Sequence, residues 1–429
     1  MARIPRRRFL TRSIGAATLG SAAIRTVAAS PGDRIGVAAI GINGMGHGHL
    51  RNLTKRSDVR IVTLCDVDES VLARGVETVA KSHHEKPKLV ADFREVLQDS
   101  AVDAVVIATP HHWHCPIAIP ALEAGKDCYV EKPASHVFKE GRALVEAARK
   151  HNRLVQHGTQ MRNTEVTFLA GEVLESGILG EIKMTKAWNA QRGHGMDPKP
   201  DAPVPAGVDY DMWLGPASKR PFNPNRFHRT WRLYRDYGNG DMGDDGAHDL
   251  DMARWALGVT THPVRITVHG STIDLKGERE YPDNMVQAFQ YAEGKVLLYE
   301  DRLWTPYGMH GFDNGNAFYG TEGYMIFSRR GYFQVFLGKK SEKGPGRSGR
   351  DIRQNSEANL AHFLDCVRSR KQTNADAEVA HLTCGLIHLG EIAFRLKRVM
   401  EFDPEKEIFP KDPEGNKMLT KHYRAPWSV

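Results

Sequence analysis

The chain has 429 residues, 41% of them hydrophobic and 26% charged, which describes two or three folded domains and excludes a fibrous or largely disordered protein. The five cysteines (Cys65, Cys115, Cys128, Cys366, Cys384) are odd in number, scattered and without a CxxC pair, so neither a disulfide framework nor a zinc ribbon is expected. The formal charge of +7 does not point to nucleic acid, because six of the positive charges are arginines within residues 1–29, a stretch with no Lys, Asp or Glu.

Residues 1–29 read as a twin-arginine-type signal peptide. Arg6-Arg7-Arg8-Phe9-Leu10 leads into a mildly apolar, Ala- and Gly-rich run from Ile14 to Ile24, and small residues at Val27-Ala28-Ala29 suit a signal peptidase. The mature protein is therefore expected to be exported to the periplasm. No run of 18 apolar residues exists, so no membrane span is expected.

Residues 30–156 alternate strand and helix signals, the mark of a parallel sheet covered on both faces. Strands are expected over Arg34–Ile40, Asp58–Cys65, Ala104–Ala108, Cys128–Val130 and Leu154–His157, with helices at Val71–Ser82 and Pro116–Glu123. The first strand runs into Gly41-Ile42-Asn43-Gly44-Met45-Gly46. Glycines there let the backbone turn sharply and approach a pyrophosphate, which the next helix receives on its N-terminal N–H groups. Asn43 stands where a second glycine is usual; the expectation is that it tolerates positive φ. Asp66, at the end of the second strand, is placed to accept from ribose hydroxyls and repel a 2′-phosphate, favouring NAD over NADP. His111, His112 and His114 raise a metal hypothesis, but only His111 and His114 have one-face spacing, and the segment reads as a turn and helix start with no metal.

Beyond Val155 the pattern alternates with period two over Ile182–Ala190, Val264–Thr272, Met285–Tyr291, Val296–Trp304, Tyr324–Ser328 and Tyr332–Leu337, implying a mostly antiparallel sheet with one face on helices. Gly193–Gly207 and Gly338–Arg350 read as loops. A helix over Asp244–Leu257 would set Asp244 and His248 one turn apart on one face. A carboxylate so close raises an imidazole's basicity and orients it, as a general base requires. Helices Asn359–Arg370 and Glu378–Met400 follow, with apolar positions of the second at core spacing. Residues 157–400 thus form a second domain, and the proline-bearing 401–429 an extended arm.

Ala108-Thr109-Pro110-His111-His112-Trp113-His114, Glu131-Lys132-Pro133 and Asp244-Asp245-Gly246-Ala247-His248, together with the glycine loop, make the chain from about Arg34 to Trp427 resemble the glucose–fructose oxidoreductase / inositol dehydrogenase / MocA (Gfo/Idh/MocA) family. The resemblance implies an α/β protein with an N-terminal Rossmann-type parallel sheet and an α+β C-terminal domain whose open sheet forms subunit contacts in a dimer or tetramer. It implies NAD as cofactor, held by Gly41, Asn43, Gly44, Met45, Gly46, Asp66, Thr109, Pro110, His114, Glu131 and Lys132. Lys132, Asp244 and His248 take the catalytic positions, with a cis bond between Lys132 and Pro133. Gln160 and Arg162, just past the sixth strand, join Lys132 and His248 as substrate contacts, and Trp113, Trp188, Trp213 and Trp231 offer flat faces to a sugar.

The expected activity is hydride transfer from a secondary hydroxyl of a sugar, glycoside or cyclitol. A redox-neutral enzyme with retained NAD and a non-catalytic sugar-binding relic are the alternatives. Export favours retention, since no soluble pool recycles NAD outside the cell. Only residues 30–33 separate the expected cleavage point from the first strand, too few to wrap a dinucleotide, so retention needs another device.

Overall fold

The computed structural model describes residues 34–429; the expected signal peptide lies outside them. The first sheet contains β1 (Ile35–Ile40), β2 (Val59–Cys65), β3 (Lys88–Val90), β4 (Ala104–Ile107), β5 (Asp127–Val130) and β6 (Val155–His157). All pair in parallel in the order β3-β2-β1-β4-β5-β6. β1, β4 and β5 are buried throughout, as a sheet covered on both faces requires. Helices α1 (Gly44–Leu53), α2 (Glu69–Ala80), α3 (Phe93–Gln98), α4 (His114–Glu123) and α5 (Phe138–His151) connect the strands. The strand order reverses between β1 and β4, which opens a crevice at their carboxyl ends.

The remainder opens with α6 (Glu165–Glu175), β7 (Ile182–Asn189), α7 (Tyr210–Leu214), the short turn α8 (Gly240–Gly243) and α9 (Gly246–Leu257). Strands β8 (Arg265–Ser271), β9 (Asn284–Gln290), β10 (Val296–Arg302), β11 (Asn314–Gly320), β12 (Gly323–Ser328), β13 (Tyr332–Leu337) and β14 (Glu342–Ser348) follow. Helices α10 (Ser356–Ser369) and α11 (Ala377–Leu396), the two-residue β15 (Met400–Glu401) and α12 (Pro413–Met418) complete the chain. The nine-stranded sheet has the order β14-β13-β12-β11-β7-β10-β9-β8-β15 and is antiparallel except where β10 runs beside β7. Among the described residues no helix is long and apolar enough to cross a membrane.

Three sequence expectations change. The segment expected as a loop over Gly338–Arg350 contains β14, an exposed edge strand on β13. Its Lys, Gly and Pro residues hide the strand from pattern reading and suit an edge left facing water. β11, Asn-Gly-Asn-Ala-Phe-Tyr-Gly, carries glycines at both ends and goes unread although it lies central in the sheet. The long helix begins at Gly246, not Asp244. Packing also crosses the sequence boundary near residue 157: Leu360, Phe363 and Leu364 of α10 pack with Leu50 and Leu53 of α1, while Ala377, Ala380 and Cys384 of α11 join the core on the sheet's other face.

The C-terminal tail lies against both domains. Trp427 meets Trp113 edge-on with ring centroids 4.7 Å apart, Tyr423 Oη donates to Glu140 Oε1 (2.9 Å), and Arg424 pairs with Asp211 (2.7 Å).

Candidate active site

Above the β1/β4 crevice lies a cavity of about 910 Å³, lined by both domains. Its floor is the glycine loop. Gly41 (φ +76°) and Gly44 (φ +47°) take left-handed backbone, and a Cβ on Gly46 would fall 1.8 Å from the Gly41 carbonyl oxygen. Asn43 does not use positive φ as expected. It is extended (φ −90°, ψ 166°), and its side-chain oxygen accepts from the Gly44 N–H at the head of α1. Gly44 takes the positive φ instead, which a glycine adopts without strain. Space above it is open, so an anion can meet the α1 N-terminus.

Asp66 borders the same cavity. Its Oδ2 accepts from the Ile42 N–H (2.9 Å) and its Oδ1 from the Asp68 N–H (3.2 Å), leaving each oxygen a second lone pair for a ribose hydroxyl. Burial pushes its carboxyl up to about 6, against those two N–H groups.

Thr109, Pro110 and the turn His111–Trp113 form one wall. Thr109 Oγ1 is buried without a partner. The histidines of this turn face neighbouring protein groups. His114 lies between the Pro133 and Thr109 carbonyls (2.7 and 2.9 Å), His112 between those of Tyr237 and Trp213 (3.4 and 3.0 Å), and His111 against Asn239 Oδ1 (3.2 Å). Burial pushes His112 down to about 3 and lowers His111 and His114 as well. His114 thus orients the Thr109 and Pro133 backbones that flank the cavity.

The ends of β5 and β6 bring the chemistry. The Lys132–Pro133 bond is cis, and the Lys132 ammonium forms a close ion pair with Asp244 Oδ1. Arg232 holds the other carboxylate oxygen (2.9 Å). Despite burial, Lys132 and Arg232 keep the Asp244 carboxyl far below its ordinary range. The expected Asp244–His248 pair therefore does not form. Asp244 ends α8 with φ −87° and ψ −88°, so the helical turn assumed between the two residues is broken.

His248 is buried, borders the cavity, and has no partner at Nδ1. Burial, then Arg329 and Lys132, drive its pKa well below the ordinary imidazole value, although Asp244 pulls the other way. The expectation that Asp244 makes it more basic is overturned by these larger contributions. His248 is instead neutral at physiological pH.

A hydrogen-bond chain fixes which nitrogen is free of hydrogen. Glu131 Oε1 accepts from His49 Nε2 (2.8 Å) and Gln160 Nε2 (3.2 Å). A carboxylate only accepts, so the Gln160 amide must turn its NH2 to Glu131 and its carbonyl outward. Gln354 Nε2 donates to that carbonyl (2.6 Å) and directs its second hydrogen toward His248 Nε2 (3.4 Å). The lone pair is therefore on His248 Nε2, held by a long and weak contact.

Not every expected residue reaches the cavity. Arg162 does not: its guanidinium forks onto Asp251 (2.8 and 2.8 Å), a fully buried carboxylate on α9 that also accepts from Thr383 Oγ1 (2.8 Å). Trp188 is buried in the second sheet with its N–H on the Phe312 carbonyl, whereas Trp113, Trp213 and Trp231 border the cavity. Three functional residues went unread. Gln354 and Arg329 sit in a loop and a hairpin turn with no motif. His228, in left-handed backbone (φ 61°), spans the mouth of the crevice: it meets Asn43 Nδ2 (3.3 Å) and Asp68 Oδ2 (2.7 Å). Only the fold brings that loop over the glycines.

Family models match both parts of the chain: the NAD-binding Rossmann fold of the GFO_IDH_MocA oxidoreductase family at residues 35–159, and that family's C-terminal alpha/beta domain at 172–301 and 334–429. The chain belongs to the Gfo/Idh/MocA oxidoreductase family. It is an NAD-binding oxidoreductase whose glycine loop, helix terminus and Asp66 fit the dinucleotide on the geometry above. A levoglucosan dehydrogenase of Pseudarthrobacter phenanthrenivorans is 26% identical over 294 residues, 60% of this chain and 67% of that one. An α-N-acetylgalactosaminidase of Shewanella oneidensis is 28% identical over 152 residues, 34% of this chain and 33% of that protein. Among solved structures, levoglucosan dehydrogenase with NADH has a TM-score of 0.66 at 19% identity, covering 86% of this chain and 99% of that one. An aldose-aldose oxidoreductase from Caulobacter crescentus has a TM-score of 0.64 at 18% identity, covering 86% of this chain and 100% of that one.

Proposed function

We propose that this protein oxidises a secondary hydroxyl of a sugar, glycoside or cyclitol. The observation that carries the reading is the meeting, in one cavity beside the glycine loop, of an ammonium from the first domain with a neutral imidazole from the second. The dinucleotide, when bound, supplies the hydride acceptor. His248 Nε2, its lone pair covered only by the weak Gln354 contact, takes the hydroxyl proton. Lys132, oriented by Asp244, donates to the substrate oxygen as negative charge develops there. Trp113, Trp213 and Trp231, all buried, form part of the cavity wall. The sugar-related names of the two curated relatives support the substrate class.

A second reading is redox-neutral: the hydroxyl is oxidised only transiently, with cleavage, epimerisation or sugar-to-sugar transfer following. The His228 bridge favours it, because this contact ties a second-domain loop to both Asn43 and Asp68 and so closes the crevice over a dinucleotide. Such a clasp supplies the retention that an exported enzyme needs, and we propose export to the periplasm through the leader.

Denaturing the purified protein and measuring released NAD by absorbance tests retention. Incubation with pyranosides then separates the readings. Net reduction without cleavage supports the dehydrogenase, and cleavage without net reduction the redox-neutral enzyme. Sugar binding with neither change leaves the relic and refutes both.

A further inference from the structure

Away from the active site, three side chains from separate segments converge. They are His262 in the loop before β8, His381 on α11 and Glu407 in the loop after β15. His262 Nε2 and His381 Nε2 are 3.2 Å apart, and they lie 3.4 and 2.9 Å from Glu407 Oε1. Both imidazoles are almost completely buried, and both pack against the Phe138 ring at 4.9 Å. A tetrahedral zinc ion with bonds of 2.0–2.1 Å holds adjacent ligand atoms about 3.3–3.4 Å apart. Two of the observed separations, 3.2 and 3.4 Å, lie within about 0.1 Å of that spacing, and the third, 2.9 Å, is about 0.4 Å shorter; the three atoms thus approach three corners of such a polyhedron, with one corner left open.

We propose that His262, His381 and Glu407 form a binding site for a divalent transition cation of the zinc class. Two imidazoles and one carboxylate suit Zn²⁺ and disfavour Ca²⁺ or Mg²⁺, which demand more oxygens. Arg142 forks onto Glu407, Nη2 to Oε1 at 2.6 Å and Nε to Oε2 at 3.1 Å, and orients the carboxylate as outer hydrogen bonds do in metal sites. Its charge is shared with Glu378 at 3.3 Å. In the metal-free form the same atoms make a hydrogen-bonded clamp, with Nε2–H groups donating to Glu407. Metal binding moves each ring proton to Nδ1. Neither Nδ1 has a partner; they face the backbones of Gly385 and Gly141, where an added Cβ would fall 2.6 and 2.5 Å away. Missing outer partners weaken metal sites by about 10–100-fold each, which places this site well below a zinc finger in affinity. Bound there, the ion would join α11, the β8 approach and the C-terminal loop.

The full chain, stripped with a chelator, is titrated with Zn²⁺ by calorimetry and with Co²⁺ by visible absorption. One equivalent is expected to bind, with the intense bands of four-coordinate Co²⁺ and a higher unfolding temperature in Zn²⁺. Glu407→Gln keeps an acceptor for both imidazoles while losing the anionic ligand, so the clamp survives and affinity falls about 100-fold or more; His381→Gln behaves alike. No saturable equivalent in the unmodified chain overturns the proposal. So does one equivalent bound equally by Glu407→Gln, since another of the 20 histidines then holds it.

Discussion

Replacing Arg162 decides between its two roles, substrate contact or internal support. In the structure the guanidinium is 12% exposed and pairs with Asp251, whose side chain is 0% exposed. Removing one partner of a buried pair costs about 3–5 kcal/mol, because the other charge stays buried without compensation. Arg162→Met belongs at the lower end, about 3 kcal/mol, since Asp251 keeps Thr383 Oγ1 at 2.8 Å and Arg254 at 3.7 Å. Asp251→Asn strands both arginines and belongs at the upper end, about 5 kcal/mol. With an unfolding entropy of about 0.8 kcal/mol/K for this many residues, the two variants lower Tm by about 4 and 6 °C. Asp251 is held far below its usual pKa by Arg162 against the opposing effect of burial. Its contribution is therefore complete above the unfolded-state value of about 3.9 and fades as pH falls below it. Calorimetry at pH 7 and initial rates over a range of sugar concentrations form the assay. Unchanged Tm in Arg162→Met, with KM for the sugar raised tenfold, would refute the supporting role and return Arg162 to the substrate.

Three further outcomes follow from the site. Lys132→Ala removes the donor to the developing oxyanion and lowers kcat by about 10²–10³, while NAD bound per chain, measured after denaturation, stays the same. His228→Ala opens the clasp at Asn43 and Asp68; each hydrogen bond contributes about 1 kcal/mol, so NAD dissociates roughly 10-fold faster or more, read by stopped-flow fluorescence. Turnover requires neutral His248, and burial, Arg329 and Lys132 all lower its pKa, so the acid limb of kcat/KM lies below pH 6.5. Arg329→Gln removes one of these positive neighbours and moves that limb to higher pH; a limb that does not move excludes His248 as the proton acceptor.

The sequence by itself determined what depends on neighbours in the chain. Alternating apolar runs and the Gly41–Gly46 loop specified the parallel sheet and its dinucleotide crevice, because strand burial and glycine backbone freedom are local properties. Lys132, Asp244 and His248 were legible through their short motifs. Their partnerships were not. The Asp244–His248 pairing assumed one continuous helix, whereas the break before Gly246 turns Asp244 toward Lys132 and Arg232. Arg162 was assigned to substrate by its place after β6, but α9 sets a buried carboxylate against it, and a desolvated charge takes the nearest counter-ion. Gln354, His228 and the His262–His381–Glu407 cluster come from segments scattered along the chain, each without a motif of its own. Hydrogen bonds and ion pairs act over a few ångströms in space, so only the tertiary structure could bring those groups within reach and decide which of them meet.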